Sequence, residues 1–356
     1  MTLPAPGPAA TLVPARGRAL VWQVLAVLVA APLAVLSVFR AVPLEWPTPV
    51  VQLLAFTPWL VPPAVVAVLS AALGRRRPLL LGTAALLAVQ LFWLFPLDHG
   101  RGAPGGGAPG AALKVMTLNS ELGQADAAEI VRLVRDNGVG LLAVQEHTPA
   151  LEERLQAEGL AGLLPNRISQ PLNGAAGSAL YSIHPLQLVD AVPDAPFRMP
   201  TVRLTLDAAG GPAVLDVTNV HAQPPVDGRT GQWRQDLAAL GRLAARPGNR
   251  LLMGDFNATY DHAEFRRLLD GGAGGGKLVD VGTAEGSRLV PTWPKDGQAL
   301  PGIVIDHLVT SPQIRGSAYA VHAVPGSDHA AVLATLAVPV GSVPAGSVPV
   351  GPVPAG

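Results

Sequence analysis

Three uncharged apolar segments near the N-terminus limit what this chain can fold into. They cover residues 19–39, 50–74 and 78–97, and none contains Asp, Glu, Lys or Arg. A helix of about 20 apolar residues crosses the hydrocarbon core of a bilayer, so each segment is long enough to span a membrane. A buried core helix could explain one such segment, but three in close succession predict transmembrane helices.

The first segment could also be a secretory signal peptide that starts at Arg16 and Arg18. Its apolar core is longer than the usual length of about 7–15 residues, and no clear small-x-small cleavage site follows it. We therefore interpret it as the first of three spans. Pro58, Pro62 and Pro63 predict kinks in the second span, which neighbouring helices can tolerate.

Arginines beside the apolar segments predict the orientation in the membrane. Arg16, Arg18 and the run 75–77 fall on one side, whereas only Arg40 and Arg101 fall on the other. Basic residues are enriched in cytoplasmic loops, so residues 1–18 are predicted to be cytoplasmic. Three crossings then place the rest of the chain outside the cytoplasm, as a multi-pass protein of the cell membrane.

The chain after the spans divides into a tether, a domain and a tail. Residues 98–110 read DHGRGAPGGGAPG, a Gly/Pro-rich linker. Residues 338–356 form a near-pentameric Val-Pro-Gly repeat that has no charges or large side chains, so the tail is predicted to be disordered. Residues 111–337 remain for one globular domain.

The charge differs between the two parts of the chain, although the formal net charge is zero. Residues 1–110 contain seven basic and two acidic residues, and residues 111–356 contain 18 basic and 23 acidic residues, which gives +5 and −5. The chain has no cysteine, which excludes disulfides and thiolate metal sites and is compatible with a location on either side of a membrane.

The pattern of the predicted domain alternates between strands and fewer helices, which favours two packed sheets with helices outside them. The predicted strands are Leu113–Leu118, Gly140–Gln145, Ala179–Ile183, Val202–Leu206, Val214–Val220, Arg250–Gly254, Ile305–Thr310 and Ala331–Ala337. The predicted helices are Ala125–Asn137, Ala150–Glu158, Arg229–Ala245 and His262–Leu269.

Polar residues recur where the predicted strands begin or end. In LLMGDFNAT, residues 251–259, Asp255 and Asn257 are two positions apart and share a face of an extended chain. An Asx turn, in which both side chains bond their own backbone, is the structural alternative for this pair. Other polar residues at strand ends, or just inside them, are Asn119, Glu121, Glu146, His221, Asp306, His307, Asp328 and His329.

Taken in order, these motifs resemble the endonuclease/exonuclease/phosphatase superfamily across essentially all of residues 113–337. The resemblance implies a four-layered α/β sandwich that cleaves phosphoester bonds with a divalent cation, usually Mg²⁺, with Mn²⁺ as a substitute. The motifs that carry it are Asn119, QE at 145–146, His221 in TNVHAQPP, GDFN at 254–257, PTWP at 291–294, IDH at 305–307 and SDH at 327–329.

The resemblance and the chemistry of these groups together imply the site. Asp255 would orient or deprotonate the attacking water, Asn257 would donate to the developing charge on phosphorus, and His221 would bind the phosphate or protonate the leaving oxygen. Asp306 would fix the tautomer of His329 and raise its basicity. Either Asp255 or His329 would accept the proton. The predicted metal ligands are Asn119, Glu146 and Asp328, with Glu121 supporting them.

Some positions depart from the pattern of the family. Many relatives have Ser-Arg-Tyr-Pro where this chain has Ser-Ile-His-Pro at 182–185, so an expected basic group is missing at Ile183. This puts a substrate contact at that position in doubt. Four histidines match no motif and are interpreted as surface or packing residues: His147, His184, His262 and His322.

The function predicted from the sequence is a membrane-anchored, metal-dependent phosphoester hydrolase. Its partners would be a lipid bilayer, crossed by three helices, and a phosphoester in a nucleic acid, a lipid headgroup or a small diester; no protein partner follows from the sequence. The low content of Lys and Arg in the domain disfavours duplex DNA. The alternative from another class is a catalytically silent binding domain that retains the fold.

Overall fold

The N-terminal apolar segments form a helical unit. The computed structural model describes residues 15–95, 110–226, 228–271, 276–295, 297 and 301–340. Two of the described helices are long and apolar enough to cross a membrane, and a bent helix pair can supply a third crossing. The helices of this part of the chain are α1 (Ala15–Ala41), α2 (Thr48–Leu54), a 3₁₀ helix (Thr57–Leu60), α3 (Val61–Leu73) and α4 (Arg77–Leu94).

The second predicted span, 50–74, is not one helix. The chain bends by 72° between α2 and the continuous stretch Thr57–Leu73. Pro58 and Pro62 lie in the first turns of the 3₁₀ helix and of α3, where a missing N–H costs no hydrogen bond. Segment Glu45–Ala55 groups with the large C-terminal unit, whereas the flanking helices form the other unit.

The C-terminal unit contains twelve described strands in two six-stranded sheets. The first sheet has the order β11-β12-β1-β2-β4-β3 and the second has the order β5-β6-β7-β8-β10-β9. The strands are β1 (Gly110–Asn119), β2 (Leu141–Gln145), β3 (Asn166–Gln170), β4 (Ser178–Ser182), β5 (Gln187–Ala191), β6 (Pro200–Leu206), β7 (Ala213–His221), β8 (Asn249–Asp255), β9 (Val279–Asp280), β10 (Asp306–Thr310), β11 (Arg315–Ala323) and β12 (Ala330–Pro339).

Helices cover the outer faces of both sheets. Against the first sheet pack α5 and α6, and against the second sheet pack α8 and α9. Three apolar clusters fill the spaces between the four layers, and the middle one, which includes Val115, Leu215 and Leu308, joins the two sheets. This arrangement is the predicted α/β sandwich. The helices of this unit are α5 (Ala127–Asn137), α6 (Pro149–Ala157), α7 (Leu160–Leu163), α8 (Thr230–Ala244), α9 (Ala263–Asp270) and α10 (Val281–Ala284).

The two sheets share a plan that sets the position of the site. Each sheet has one parallel pair at its centre, β1 with β2 and β7 with β8, and its other pairings are antiparallel. The four central strands therefore bring their carboxyl ends together pairwise, which is where polar residues follow the apolar runs in the sequence.

The last strand moves the predicted boundaries of the domain. Pro339 pairs with Gly110, and Val338 is fully buried in the core between the sheets. The domain therefore begins one residue before the predicted 111 and continues past 337, because residues 338 and 339 complete the pairing of β12 with β1. The rest of the predicted tail, 341–356, and linker residues 98–109 lie outside the described residues.

Candidate active site

The predicted site residues meet at one end of both sheets. Asn119 ends β1 and pairs with Gln145, the last residue of β2. His221 ends β7 and pairs with Asp255, the last residue of β8, while Asp306 begins β10 and pairs with Asp255 on its other side. Asn119 Nδ2 donates to Asp255 Oδ2 at 3.1 Å, so one hydrogen bond joins the two sheets at this end.

The GDFN segment forms a tight turn around Asp255. Gly254 has φ +142°, and a Cβ there would lie 2.1 Å from the carbonyl oxygen of Val220, so only glycine fits. The Asn257 amide N–H donates to Asp255 Oδ1 at 2.8 Å. This contact is the Asx turn that the sequence offered as an alternative, and it also aims the carboxylate. The structural and catalytic interpretations of the pair are therefore compatible.

Asn257 has a left-handed backbone, with φ +48°. Such a conformation is tolerated by Asn and is often found at functional turns. Its side-chain Nδ2 donates to Asp255 Oδ2 at 3.2 Å and to the carbonyl oxygen of Ala222 at 2.9 Å. Both amide protons are thus engaged within the protein, and Asn257 orients Asp255 in this structure rather than presenting a donor to a phosphoryl group.

Asp306 and His329 form a buried pair. His329 Nδ1 lies 2.9 and 3.1 Å from the two oxygens of Asp306, and His329 Nε2 lies 3.8 Å from Asp255 Oδ2. Burial alone would lower the pKa of His329, but the carboxylates of Asp306 and Asp255 outweigh it and raise the pKa to about 10. Burial raises the pKa of Asp255 to about 7, although His329 opposes that shift.

His221 lies on the other side of Asp255. Its Nε2 is 3.7 Å from Glu146 Oε1 and 3.9 Å from Asp255 Oδ2. Burial, with the nearby charge of His329, lowers the pKa of His221 to about 3, so this imidazole is neutral. The ring of Phe197 stacks on it, with centroids 4.3 Å apart and planes 16° apart.

Glu146 follows β2 in a left-handed conformation, with φ +54°. Its Oε1 accepts from Asn119 Nδ2 at 3.2 Å and its Oε2 accepts from the Leu122 amide at 2.6 Å. Asn119 Oδ1 accepts from the Glu121 amide at 3.0 Å. The loop after β1 and the loop after β2 therefore fix each other, and Glu146 is held next to Asp255 through Asn119.

Asp328 is held by hydrogen bonds to two neighbouring residues, Glu121 and Trp293. Glu121 Oε2 accepts from the Asp328 amide at 2.7 Å, so Glu121 fixes the backbone at Asp328. Trp293 Nε1 donates to Asp328 Oδ2 at 2.8 Å. Asp328 Oδ1 lies 3.8 Å from His329 Nε2. Trp293 belongs to the PTWP motif, but the sequence alone suggested no contact for its indole.

The donor set fits a hard divalent cation. The carboxylates of Asp255, Asp306 and Asp328 lie within 4 Å of one protonated imidazole, that of His329, and Glu146 lies 3.7 Å from the neutral His221. This excess of buried negative charge contributes to the raised pKa of Asp255, and a cation would offset it. Oxygen donors of this kind suit Mg²⁺, which needs only one or two protein carboxylates.

Two neighbouring groups offer ligand atoms for such an ion. The ligand atoms of Asp255, Asp306 and His329 all lie within 4.8 Å of one another, and all three residues are buried. The predicted set, Asn119, Glu146 and Asp328, shares no member with this group. Asn119 links the two, because its Nδ2 donates to both Glu146 and Asp255.

Ile183, where many relatives have an arginine, lies at the other end of the first sheet from the site. Strand β4 runs antiparallel to β2, so Ser178 lies beside Gln145 at the catalytic end and Ser182 lies beside Leu141 at the opposite end. Ile183 follows Ser182, and its amide donates to the carbonyl oxygen of Gly140. The expected arginine would therefore have been at the end of the sheet opposite the predicted site residues.

Several residues around the site were not predicted. Phe197 lies in the loop before β6, and no sequence pattern there pointed to His221. Lys295 follows PTWP, and partial burial lowers its pKa although the carboxylate of Asp306 opposes the shift. Asn219 Nδ2 donates to Ser178 Oγ at 2.7 Å and to two carbonyl oxygens of the first sheet, those of Val144 and Ala179. This buried amide ties the sheets together beneath the site.

The family is established by sequence as well as by fold. A family model described as Endonuclease/Exonuclease/phosphatase family matches residues 116–329, which is more than half of the chain. This range runs from β1 to His329 and includes every residue that the geometry brings together at the site. No curated protein is significantly similar to the chain.

Solved structures with a similar fold share little sequence with this chain. An endonuclease/exonuclease/phosphatase from Beutenbergia cavernae is 19% identical, with 64% of this chain and 72% of that chain covered and a TM-score of 0.45. Humanized TDP2 of D. rerio is 14% identical, with 63% and 98% covered and a TM-score of 0.47.

Sphingomyelinase C from Streptomyces griseocarneus is 17% identical, with 63% of this chain and 99% of that chain covered and a TM-score of 0.44. These likenesses accompany the family match and add no residue to the site. With the matched range and the geometry in agreement, the chain belongs to the Endonuclease/Exonuclease/phosphatase family.

Proposed function

We propose that this protein is a membrane-anchored phosphodiesterase that acts outside the cytoplasm with Mg²⁺. The observation that carries the proposal is the meeting of Glu146, Asp255 and the Asp306–His329 pair at one end of the two sheets. Such a constellation supplies a carboxylate base, a cationic donor and oxygen ligands for a hard cation, which are the groups that phosphoester hydrolysis requires.

The assignment of the base follows from the protonation of the two candidates. His329 is protonated at neutral pH because its pKa is raised to about 10, so it donates a hydrogen bond to a phosphoryl oxygen instead of accepting a proton. Asp255, with a pKa raised to about 7, suits a general base near neutral pH. We therefore assign proton acceptance from the attacking water to Asp255.

The remaining residues orient these two groups. Asp306 holds His329 through Nδ1, which leaves Nε2 for the substrate. Asn257 and Asn119 donate to Asp255 and aim its carboxylate. His221 is neutral, so it serves as a hydrogen-bonding partner of the phosphate rather than as a proton donor to the leaving oxygen.

A divalent cation supplies polarisation of the phosphoryl oxygen and neutralisation of developing charge. Glu146 with Asn119 would hold it in one arrangement, and the carboxylates of Asp255 and Asp306 would hold it in the other, since the protonated His329 cannot be a ligand. Glu146→Gln distinguishes them. If Glu146 binds the cation, the Mg²⁺ concentration for half-maximal activity rises about 10-fold or more; an unchanged value assigns the ion to the other group.

The number of membrane crossings is supported by segment Glu45–Ala55. This segment belongs to the catalytic unit, so it and the domain after α4 must lie on the same side of a membrane. The chain between them must then cross an even number of times, and α4 by itself is long enough to cross. A second crossing falls to residues 57–73, which extend about 27 Å as one 3₁₀ turn and a helix, close to the thickness of a bilayer core.

With the N-terminus inside, this count places the catalytic domain outside. A reporter that is active only in the cytoplasm, fused after Pro339, should give no signal, whereas the same reporter inserted beside Arg76 should be active. A strong cytoplasmic signal from the fusion after Pro339 would contradict the proposed location.

The substrate class favoured here is a small or lipid-borne phosphodiester. Non-specific duplex binding takes its affinity from Lys and Arg, and residues 111–356 carry a net charge of −5 with only three lysines. A turnover panel with the full-length protein in detergent and Mg²⁺ would compare plasmid DNA, RNA, a phosphoinositide and sphingomyelin. Rapid nicking of plasmid without turnover of lipid would replace this substrate class with DNA.

A further inference from the structure

Segment Glu45–Ala55 is built into the catalytic unit, although it lies outside the range that matches the family. Val51 of α2 is 2% exposed and belongs to the apolar cluster of α8, α9 and the second sheet, which includes Trp233 and Phe265. Trp46 packs against the same cluster. Burial of these apolar side chains stabilises the docked position of the segment.

Hydrogen bonds fix the docked segment along its length. The hydroxyl of Thr48 pairs with that of Thr230 at the start of α8. Arg234 of α8 donates to the carbonyl oxygen of Trp46 while its Nε donates to Glu264 of α9. These contacts are specific in position, because each uses a particular group of the segment and of the α8–α9 surface.

His262 connects this segment to the loop that carries the catalytic residues. His262 Nε2 lies 2.9 Å from the carbonyl oxygen of Val51, and Nδ1 lies 2.9 Å from the amide nitrogen of Thr259. A carbonyl only accepts and an amide N–H only donates, so the proton of the neutral ring is on Nε2. The ring is 2% exposed and meets the edge of Trp233 at a centroid distance of 5.2 Å.

Thr259 is two residues after Asn257, in the loop between β8 and α9. The preceding residue, Ala258, is held from the other side, because its carbonyl oxygen accepts from His307 Nε2 at 2.9 Å. His307 is itself fixed by Asp280 at 3.3 Å. Two buried histidines therefore hold the C=O and the N–H of one peptide group, that between Ala258 and Thr259, directly after the GDFN turn.

We propose that segment Glu45–Ala55 is a positioning element for the catalytic loop. The carbonyl of Val51 orients His262, His262 holds the amide of Thr259, and this contact keeps Asn257 and hence Asp255 in place. The inference rests on the proposed function only in that Asp255 is taken as catalytic; the contacts themselves belong to the fold. His262 is a positioning residue, since it touches neither substrate nor the reacting atoms.

The test uses the full-length protein in detergent micelles and reads the catalytic loop directly. Amide hydrogen exchange is measured over residues 255–261 in the wild type, in His262→Phe, and in a variant whose residues 45–55 are replaced by a Gly/Ser linker of equal length. We expect exchange in this loop to rise by about 10-fold or more in both variants. Unchanged exchange in either variant would overturn the proposal.

Two further variants separate positioning from loss of packing. Leu240→Ala removes buried apolar volume from the same cluster but no hydrogen bond to the loop, so exchange over 255–261 should stay close to wild type. His262→Asn retains an acceptor near the Nδ1 position and loses the contact to Val51. If His262→Phe does not fold, a rise in exchange for His262→Asn supports the proposal and no rise overturns it.

Kinetics supply a readout that a purely structural role would not move. We expect His262→Phe and the linker variant each to lower kcat about 10-fold with KM within about threefold, because the substrate contacts remain. Combined in one protein, the two changes should lower kcat no further than either alone. If the fold-reductions in kcat of the two variants instead multiply in the combined variant, the segment and His262 act independently and the proposal is overturned. A wild type without phosphodiesterase activity would refute the proposed function while the exchange result still stands.

Discussion

The two segments that carry the carboxylates proposed for catalysis are built alike but are supported differently. Glu146 lies in the loop after β2 and Asp255 ends β8 just before the next loop, and each of these loops contains a non-glycine residue with a left-handed backbone. Each is also followed by a buried histidine, His147 in the first and His262 in the second. The difference lies in where the partners of those histidines come from.

His147 finds its partners inside the matched family range. Its Nε2 lies 3.1 Å from Glu152 Oε2 and 3.2 Å from the hydroxyl of Tyr181. His262 instead relies on Val51, which precedes that range by more than 60 residues. We infer that the Glu146 loop is self-sufficient within the sandwich, and that the Asp255 loop depends on a segment specific to this chain's N-terminal part.

The largest expected effect concerns the two carboxylates themselves. Asp255→Asn should lower kcat about a thousandfold, because it removes the general base. Glu146→Gln should act chiefly through a weaker affinity for Mg²⁺, so excess Mg²⁺ should restore part of its activity. The measurement is kcat against Mg²⁺ concentration for both variants. Recovery of Asp255→Asn by Mg²⁺ would reverse the roles assigned to the two loops.

The two histidines should differ in their contribution to stability. His262→Phe leaves the Val51 carbonyl and the Thr259 amide buried without a partner, at about 1–3 kcal/mol each. His147→Phe leaves Glu152 with Ser169 and Arg167 as remaining partners, so about 1–2 kcal/mol is expected. Urea unfolding of both variants at pH 7.5 measures the free energies. A larger loss for His147→Phe would contradict the proposed difference between the loops.

The pH dependence of stability should come partly from these same residues. Burial lowers the pKa of both His147 and His262, so the folded protein keeps them neutral. The unfolded chain takes up protons on them below about pH 6.5, which means that acidification through this range favours unfolding.

Each such group lowers the free energy of unfolding by at most about 1.4 kcal/mol per pH unit below pH 6.5. His307 and His329, whose pKa values are raised, act in the opposite direction: their contribution is fully present below about pH 6.5 and is lost as the pH rises through their folded pKa. The test therefore compares how steeply the free energy of unfolding changes with pH in the wild type and in His262→Phe. His262→Phe should lose stability less steeply than the wild type between pH 6.5 and 5.5, and equal slopes would show that His262 is not held neutral.

The smallest effect is expected at the end of the sheets opposite both loops. Ile183→Arg restores the arginine that many relatives carry, at an exposed position beside Gly140. A surface change there should alter kcat/KM by no more than about twofold. A large gain in activity on DNA would place a substrate contact at that end and would contradict the location of the site.

The sequence predicted the central strands and missed the edges, for a physical reason. All eight predicted strands are present, and the four unpredicted ones, β3, β5, β9 and β11, are the four edges of the two sheets. An edge strand such as β5, with four of its five residues exposed, carries no continuous apolar run. Strand β9 has two residues, too few for any periodic pattern.

The site was predictable where polar residues interrupt buried strands. Asn119, Glu146, His221, Asp255 and Asp306 follow or begin central strands, and the pairing of those strands brings them together. Phe197 and Trp293 were not predictable, because their contacts depend on how loops fold back over the site.

The docked segment Glu45–Ala55 was also missed. Its apolar residues read as part of an uninterrupted membrane span, and nothing in that pattern distinguishes burial in lipid from burial against α8 and α9. The role of His262 was hidden for the same reason, since its partner lies in this segment.

The central claim is that this protein hydrolyses phosphodiesters with a divalent cation and Asp255. The most direct measurement is the initial rate of the full-length protein in detergent on bis(p-nitrophenyl) phosphate, with Mg²⁺ and with excess chelator, beside Asp255→Asn under the same conditions. We predict turnover by the wild type that stops in chelator, returns when Mg²⁺ is restored, and is about a thousandfold lower in Asp255→Asn. Equal hydrolysis in excess chelator, or by Asp255→Asn, would contradict the claim.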